Sequence, residues 1–390
     1  MVRVLHVLGG LNLGGAESRI MDLYRHMDRD QVQFDFLVHT ETPGFYNDEI
    51  LNLGGCIYTL PRFKVYNIAS YRRAARDFFA KHHEFNVIQG HMTSTASIYL
   101  PEAARYTCDK EGERMVTVAH TRNAGVDKGV KGSIVKAMRR SLPSKADYLF
   151  ACSHLAGDET FGGAAYTYIP NTIDTVKFTY NKNKGNSVRD EYGIPEDAVV
   201  IGNVARFSPQ KNQKFLIRAF AETGDADSLL MLCGDGGLKS ECEALAKSLN
   251  VDDRVIFTGN QKNVWEYYSA MDIFAFPSEY EGLPGVVVEA QASGLKCIMS
   301  DTITGDVMVT DRIERLPISE GESVWSARLK ECTDEIRNLK KEDTEAYTVL
   351  RTRYSGMVRD AGFDVNEQAK IMMKFYLDPS DNTLPILPGE

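Results

Sequence analysis

Short apolar runs alternate along this chain with longer stretches in which apolar residues recur every three or four positions. Arg3–Gly9 and Val199–Val204 are two such runs, and their length fits a strand buried in a parallel sheet. Strands that alternate with amphipathic helices predict a doubly wound parallel sheet. The pattern begins again in the second half, and 390 residues exceed one ordinary core. The sequence therefore predicts two α/β domains.

The division between the two predicted domains follows from composition. Asn181–Arg189 is polar and predicts a flexible linker. We therefore expect a first domain over residues 1–178 and a second over 190–360. A last amphipathic and basic stretch, Asn366–Tyr376, predicts a terminal helix, and Ser380–Glu390 after it is predicted to be a loose tail.

One segment in the second half, Ser278–Gly294, places Glu281 and Glu289 at a predicted sheet edge. It follows the apolar strand Ile273–Phe276, and Pro284 and Gly294 punctuate the start and end of a helix. Glu281 then lies on the loop at a strand's carboxyl end and Glu289 in the early helical turns, where open α/β sheets bind ligands. A helix start attracts phosphate, which carboxylates repel. The two glutamates are therefore predicted to accept hydrogen bonds from sugar hydroxyls.

Two cations follow another predicted strand. Arg206 comes just after Val199–Val204, and Lys211 precedes the next helix. A planar guanidinium fork and a mobile ammonium can together neutralise a diphosphate; the plainer alternative is an Arg–carboxylate pair and a solvated lysine. The glycine-rich turn at 9–15 is not a dinucleotide fingerprint, because Asp35 falls inside the second strand rather than at its end. This argues against a dehydrogenase.

These motifs together resemble a known family. The phrase Ser278–Gly294, with its two spaced glutamates, resembles the paired-glutamate motif of retaining glycosyltransferases of the GT-B fold, glycosyltransferase family 4 (glycosyl transferases group 1), of the exopolysaccharide or capsule type. Gly202–Arg206 with Lys211 resembles the family's diphosphate clamp. Ile169–Asp174 is similar to its Pro-Asn-Gly-x-Asp segment, with Thr172 in place of glycine.

The resemblance implies two Rossmann-like domains facing a cleft, with the segment 364–390 returning as a helix to the first, acceptor-side domain. The second domain is expected to bind a nucleotide-sugar. Catalytic roles are implied for His120 and Glu281, with His91 a weaker second histidine. Donor contacts are implied for Gly14, Gly15, Arg206, Lys211, Gly234, Asn260, Gly282, Leu283, Gly285 and Glu289. Pro284 departs from the common glycine and has no N–H to donate.

The implied activity is that of a hexosyltransferase. It would move a sugar, with retention, from a nucleotide-diphosphate sugar, by family UDP, to a glycan or lipid-linked glycan acceptor in cell-surface polysaccharide synthesis. No metal and no further cofactor is expected, since no Asp-x-Asp ends a predicted strand. Two rivals stay open: a GT-B epimerase of UDP-sugars, and a catalytically silent sugar-nucleotide-binding subunit of a partner transferase.

Charge and cysteine usage bear on location. The chain carries a net charge of −9, yet Asp127–Lys145 holds six basic residues against one acid. This run is either a solvated face or, through Lys128–Lys145, a contact for anionic lipid; Phe63–Ile68 with its neighbouring arginines is a second candidate surface. An acidic chain without a recognised motif argues against nucleic acid. Seven scattered cysteines and no signal peptide predict a cytoplasmic protein, peripheral at the inner face of the membrane if the lipid contact is made.

Overall fold

The computed structural model describes residues 1–109, 112–122, 130–381, 384 and 386–387. The chain folds into two compact units. Met1–Thr172 together with Val365–Glu390 form the first unit, and Ile173–Asp364 form the second. Each unit is a mostly parallel sheet flanked by helices, the α/β architecture that the alternating pattern predicts.

The first unit begins with six strand–helix repeats and a seventh strand. Its strands up to residue 172 are β1 (Val2–Val7), β2 (Val32–Val38), β3 (Ile57–Thr59), β4 (Val87–Gly90), β5 (Val116–Thr121), β6 (Tyr148–Ala151) and β7 (Tyr166–Tyr168). Its helices there are α1 (Gly15–His26), α2 (Asn47–Asn52), α3 (Ile68–Phe79), α4 (Thr93–Ala103), α5 (Val130–Arg140) and α6 (His154–Phe161).

The second unit repeats the alternation after an opening helix. Its strands are β8 (Val199–Val204), β9 (Ser228–Cys233), β10 (Val255–Gly259), β11 (Ile273–Phe276), β12 (Lys296–Ser300) and β13 (Ile313–Leu316). Its helices are α7 (Lys182–Glu191), α8 (Gln213–Glu222), α9 (Lys239–Ser248), α10 (Val264–Ala270), α11 (Gly285–Ala292), α12 (Glu322–Glu342), α13 (Thr344–Thr352) and α14 (Tyr354–Val358).

The chain then returns to the first unit, as the family resemblance implies. α15 (Val365–Leu377) buries Met372 and Phe375 in the core formed with α1, β1 and β2. Beyond it, β14 (Ile386–Leu387) pairs antiparallel with β7. The sequence predicts a loose tail after residue 379, and this is wrong at β14, where ladder hydrogen bonds hold the backbone.

The strand order fixes where a ligand would bind in each unit. Among the described residues the first sheet runs β14-β7-β6-β5-β4-β1-β2-β3, and the second runs β10-β9-β8-β11-β12-β13. The order reverses direction between β4 and β1 in the first unit and between β8 and β11 in the second. In open α/β sheets, ligands bind at the carboxyl ends of the strands beside such a reversal.

The prediction of a flexible linker at Asn181–Arg189 is wrong, because the helix α7 occupies this segment. The Asn181 side chain caps the helix by accepting from the Lys184 N–H at 3.1 Å. Gly185 lies so close to the Ser269 carbonyl that a Cβ there would stand 2.5 Å from its oxygen. Arg189 is buried against Asp272, 2.7 Å away. Tertiary packing, which a polar composition does not reveal, therefore orders this segment within the second unit.

Candidate active site

The loops that follow β8 and β11 meet at the reversal of the second sheet. The N–H of Glu279 donates to the carbonyl of Gln210 at 2.8 Å, and the Ser278 hydroxyl oxygen lies 3.0 Å from the same carbonyl oxygen. The Gln210 side chain in turn donates to the carbonyl of Tyr280 at 2.6 Å. These crossed bonds join the loop that carries the predicted cations to the loop that carries Glu281.

Lys211 and Glu281 form an ion pair where those loops join. The Lys211 ammonium contacts Glu281 Oε1, and the Ser278 hydroxyl donates to the same oxygen at 2.6 Å. The side chains are only 20% and 11% exposed, so the pair is partly shielded from water and its hydrogen bonds are stronger than those of a surface pair. The two side chains, predicted to hold different parts of one ligand, thus neutralise each other.

Arg206 stands at the same edge with its charge uncompensated. Its backbone carbonyl accepts from the Gln213 side chain at 3.0 Å, which anchors the loop. The side chain is exposed, and within the part of the chain that the structure describes its guanidinium makes no ion pair or hydrogen bond. A fixed backbone and a free guanidinium are what binding a diphosphate at this edge requires.

Glycine brings the exits of three neighbouring strands into contact. Gly234, after β9, has φ of 139°, and a Cβ there would lie 2.1 Å from the carbonyl oxygen of Ala205. Its N–H donates to the carbonyl of Gly259 at 2.8 Å, next to Asn260. The predicted donor residues Arg206, Gly234 and Asn260 therefore lie on loops that pack against one another.

Glu289 lies in the second turn of α11 and is 3% exposed. The Tyr268 hydroxyl donates to its Oε2 at 2.9 Å. The sequence predicts Pro284 at the first helical position, which is wrong by one residue: Pro284 is the N-cap, and Gly285 opens the helix. Gly282 and Leu283 are buried just before it. The first N–H groups of α11, which have no acceptor within the helix, thus begin at Gly285.

The glycine turn of the first unit begins α1. Gly14 is the N-cap residue and Gly15 the first residue of that helix. A Cβ on Gly14 would lie 2.3 Å from Oε2 of Glu17, so the carboxylate folds back over the loop. This placement at the carboxyl end of β1, beside the reversal of the first sheet, is the one expected of a ligand-facing turn.

His120 is the next-to-last residue of β5, one residue before Thr121, and it is fully buried. The Gln89 amide donates to its Nδ1 at 2.8 Å, and the Tyr376 hydroxyl donates to Gln89 Oε1 at 2.5 Å. Burial, with the charge of Arg122, holds the pKa of His120 well below its usual range. The ring is therefore neutral at pH 7, and with Nδ1 as acceptor its proton sits on Nε2, which has no partner among the described residues. A sugar could reach it only if Nε2 were uncovered.

Sequence reasoning missed the side chains that hold these histidines. His91 contacts His6, with 3.0 Å between His91 Nε2 and His6 Nδ1, and accepts from Arg122 Nε at 3.3 Å. Gln89 and Tyr376 position His120 as described above. A glutamine within the short apolar strand β4 was the available signal, since a buried amide needs partners; the contribution of Tyr376 depends on the return of α15, which no local pattern shows.

The candidate membrane surface lies only partly within the described residues. Lys128 lies outside them, as do the side chains of residues 130 and 131. Further along, Lys136 and Arg140 are exposed on or at the end of α5. On the second candidate surface Tyr66 is 81% exposed, with the Lys64 ammonium 5.6 Å from its ring centroid.

The described residues hold no group of three or more His, Cys, Asp or Glu side chains arranged to bind a metal ion. No helix among them is both long and apolar enough to cross a bilayer.

The fold and the paired loops define a GT-B glycosyltransferase, and family models agree. Residues 13–177 match the model "Glycosyltransferase Family 4", and residues 186–331 match "Glycosyl transferases group 1". The chain belongs to this family and is a hexosyltransferase by class. It is 37% identical over 335 residues to EpsF of Bacillus subtilis (strain 168), to which glycosyltransferase activity is ascribed; the match covers 83% of this chain and 86% of EpsF.

Two further proteins resemble this chain, one in sequence and one in fold. The chain is 27% identical over 178 residues to an Escherichia coli enzyme, UDP-Gal:alpha-D-GlcNAc-diphosphoundecaprenol alpha-1,3-galactosyltransferase, covering 44% of this chain and 46% of that one. The crystal structure of Anabaena HepE in complex with UDP and glucose superposes with a TM-score of 0.75 at 17% identity, covering 97% of this chain and all of HepE. At that identity the likeness establishes the fold alone.

Proposed function

We propose that this glycosyltransferase moves a sugar from a UDP-sugar, with retention of configuration, to a glycan or lipid-linked glycan acceptor in cell-surface polysaccharide synthesis. The observation that carries the donor assignment is the joined loop pair of the second unit, where Lys211 is held by Glu281 beside the uncompensated Arg206. Support for UDP comes from the name of the Escherichia coli relative and from the UDP bound to HepE.

In the proposed reaction, the bond between sugar C1 and the β-phosphate oxygen breaks, and an acceptor oxygen bonds to C1. Arg206 and Lys211, with the first N–H groups of α11, stabilise the charge that grows on the leaving diphosphate. The acceptor proton passes to that diphosphate. Glu281 accepts hydrogen bonds from sugar hydroxyls once Lys211 turns to phosphate, and Glu289 accepts from the ribose.

Retention is proposed to occur by attack on the face that the diphosphate leaves. Neither predicted glutamate is a free nucleophile, because Glu281 is hydrogen-bonded to Lys211 and Ser278, and Glu289 to Tyr268. His120 is proposed to contact the sugar or acceptor through Nε2, the nitrogen that Gln89 leaves without a partner. The glycine turn at Gly14 and Gly15 is proposed to approach the same ligands.

The lipid-linked acceptor and a contact with anionic lipid are also part of this proposal. A lipid-linked acceptor is supported by the Escherichia coli relative, whose name gives a diphosphoundecaprenol-linked sugar. Exposed cations of α5 such as Lys136, and the exposed Tyr66, are the groups that would meet anionic headgroups and the interfacial layer. Such binding would place the enzyme at the inner face of the cell membrane.

A panel of nucleotide-sugars tests the donor assignment. Thermal unfolding is measured with each donor, because a ligand that binds only the folded state raises the transition temperature. We expect a UDP-sugar to give the largest rise, and EDTA to leave both this rise and turnover unchanged. Turnover with a lipid-linked acceptor, followed by the anomeric ¹H coupling of donor and product, then tests retention. An epimerised donor, or binding without any transfer, would contradict the proposal.

A further inference from the structure

Arg122 follows β5 at the carboxyl edge of the first sheet and is oriented by two neighbours. Its Nε donates to Nδ1 of His91 at 3.3 Å, and its Nη1 donates to Oδ1 of Asn171. These contacts fix the plane of the guanidinium. They leave Nη2 without a hydrogen bond to any described residue.

Both neighbours are uncharged, so they orient Arg122 without neutralising it. Asn171 is an amide. Burial, together with the charge of Arg122 itself, holds the pKa of His91 well below its usual range, and the ring stays neutral. Burial lowers the pKa of Arg122 to about 10, which still leaves it charged at neutral pH. Within the described residues no carboxylate lies within ion-pair distance of it.

Two buried arginines of the second unit are compensated or saturated. Arg189 pairs with Asp272 at 2.7 Å. Among the described residues Arg351 makes no ion pair, but its Nε, Nη1 and Nη2 all donate to backbone carbonyls. Arg122 is half-buried and differs from both, because within the described part of the chain it keeps an uncompensated charge and an unused nitrogen at the edge of the sheet. Shielding such a charge from water without an anion is unfavourable.

Two side chains from the first turns of α1, Arg19 and Glu17, lie near enough for their charges to act on the pKa of Arg122. Arg19 is held by the carbonyl of Thr172 at 3.0 Å and by Asp22 at 3.3 Å. Glu17, whose own pKa is raised by burial, makes no ion pair with Arg122 in the described structure. A ligand of Arg122 would therefore meet a guanidinium that no described carboxylate pairs, with the Glu17 carboxyl group nearby to accept a hydrogen bond from a ligand hydroxyl.

We propose that Nη2 of Arg122 binds a phosphate group of the acceptor, next to the sugar that receives the new bond. A guanidinium fork suits phosphate oxygens, and a fork already held in plane loses little conformational freedom on binding. The inference rests on the proposed transferase function, because only a transfer reaction requires an acceptor. It assigns binding of the acceptor phosphate to a residue of the first unit, whereas the donor diphosphate is proposed to bind to Arg206 and Lys211 of the second unit.

Binding to the full chain tests this without turnover. Isothermal titration compares three probes: an alkyl-diphosphate-linked N-acetylglucosamine, the neutral alkyl N-acetylglucosaminide, and inorganic diphosphate. We expect wild type to bind the first probe about tenfold or more tightly than the second, as the loss of a charge-assisted hydrogen bond implies. Inorganic diphosphate is expected to depend on Arg206 rather than on Arg122.

Four variants separate the outcomes. Arg122→Gln removes the charge, and Asn171→Asp supplies an internal carboxylate in contact with Arg122. Both variants are expected to bind the two sugar probes with nearly equal affinity. Arg206→Ala and the exposed Arg29→Gln are expected to keep the wild-type ratio of the two affinities. Thermal unfolding checks the fold of each, and Asn171→Asp retains the arginine should Arg122→Gln not fold.

An unchanged ratio in both Arg122→Gln and Asn171→Asp would overturn the inference. If only Arg206→Ala abolished the difference in affinity between the two sugar probes, the phosphate would be assigned to the second unit and the inference would also fail. It would fail too if inorganic diphosphate bound as tightly as the diphosphate-linked sugar and this binding depended on Arg122. If the nucleotide-sugar panel shows no donor binding, the proposed function fails, while the probe ratio still reports on Arg122.

Discussion

Replacing Glu281 by glutamine is expected to separate nucleotide affinity from sugar transfer. The Lys211 ammonium is engaged by Glu281, and a diphosphate must draw it away. A charge-assisted hydrogen bond at this partial exposure is worth about 1–2 kcal/mol. Glutamine keeps the shape and removes the charge, so Lys211 no longer has to leave a carboxylate. UDP is then expected to bind about tenfold more tightly.

Turnover is expected to move in the opposite direction. Without its charge, residue 281 holds the sugar hydroxyls less firmly as positive charge develops at C1, and kcat should fall on the order of 100-fold. Isothermal titration gives the UDP affinity, and a transfer assay gives kcat. Lys211→Met is the matched control, expected to weaken UDP binding about tenfold or more, since a cation is lost from the phosphate.

The double variant Glu281→Gln/Lys211→Met completes a cycle that isolates the pair. If Lys211 is the group that Glu281 withholds, Glu281→Gln should gain no UDP affinity once Lys211 is absent. Weaker UDP binding in Glu281→Gln alone would refute this reasoning, because it would mean that the carboxylate supports the nucleotide or the loop itself.

Three further results are expected. Arg206→Ala should lower kcat/KM about 100-fold or more. The urea midpoint of unfolding should stay unchanged, because the exposed guanidinium has no bond to described residues. A lowered midpoint would show that Arg206 has a structural role. Gly234→Ala should lower the free energy of unfolding by about 1–3 kcal/mol, because the residue has a φ of 139° and a Cβ would clash with Ala205. UDP affinity should fall as well. A variant as stable as the wild type would contradict the role given to Gly234. Burial alone would raise the pKa of Asp272, but Lys340 and Arg189 hold it well below the usual range, so stability should be full above about pH 5 and fall as pH drops. Asp272→Asn should cost about 3–5 kcal/mol at pH 7 and show a smaller acid-dependent loss in urea titrations.

Much of the second unit is predictable because its sequence signals are local. The strand before Glu281, the helix α11 that closes just before Gly294 and the cations after β8 are each encoded within a few residues, and the sheet order then brings the loops after β8 and β11 together. What the pattern does not contain is the pairing of Lys211 with Glu281, since the two lie 70 residues apart and each was assigned to a different part of the ligand.

The first unit resists prediction where distant segments meet. His120 lies near the carboxyl end of β5, as its position indicates, yet Gln89 and Tyr376 orient it, and Tyr376 belongs to α15 far along the chain. α7 shows the same limit, because Arg189 is ordered by Asp272 far along the chain and not by local helix propensity. The roles assigned to His120 and to the glycine turn therefore stay predictions.

A crystal structure of the full chain with a UDP-sugar tests the central claim most directly. We predict that the diphosphate oxygens lie within hydrogen-bond distance of Arg206 and Lys211, that Glu281 has released Lys211 to accept sugar hydroxyls, and that the ribose hydroxyls reach Glu289. A nucleotide whose phosphates lie more than about 4 Å from both cations, with the Lys211–Glu281 pair still closed, would contradict it.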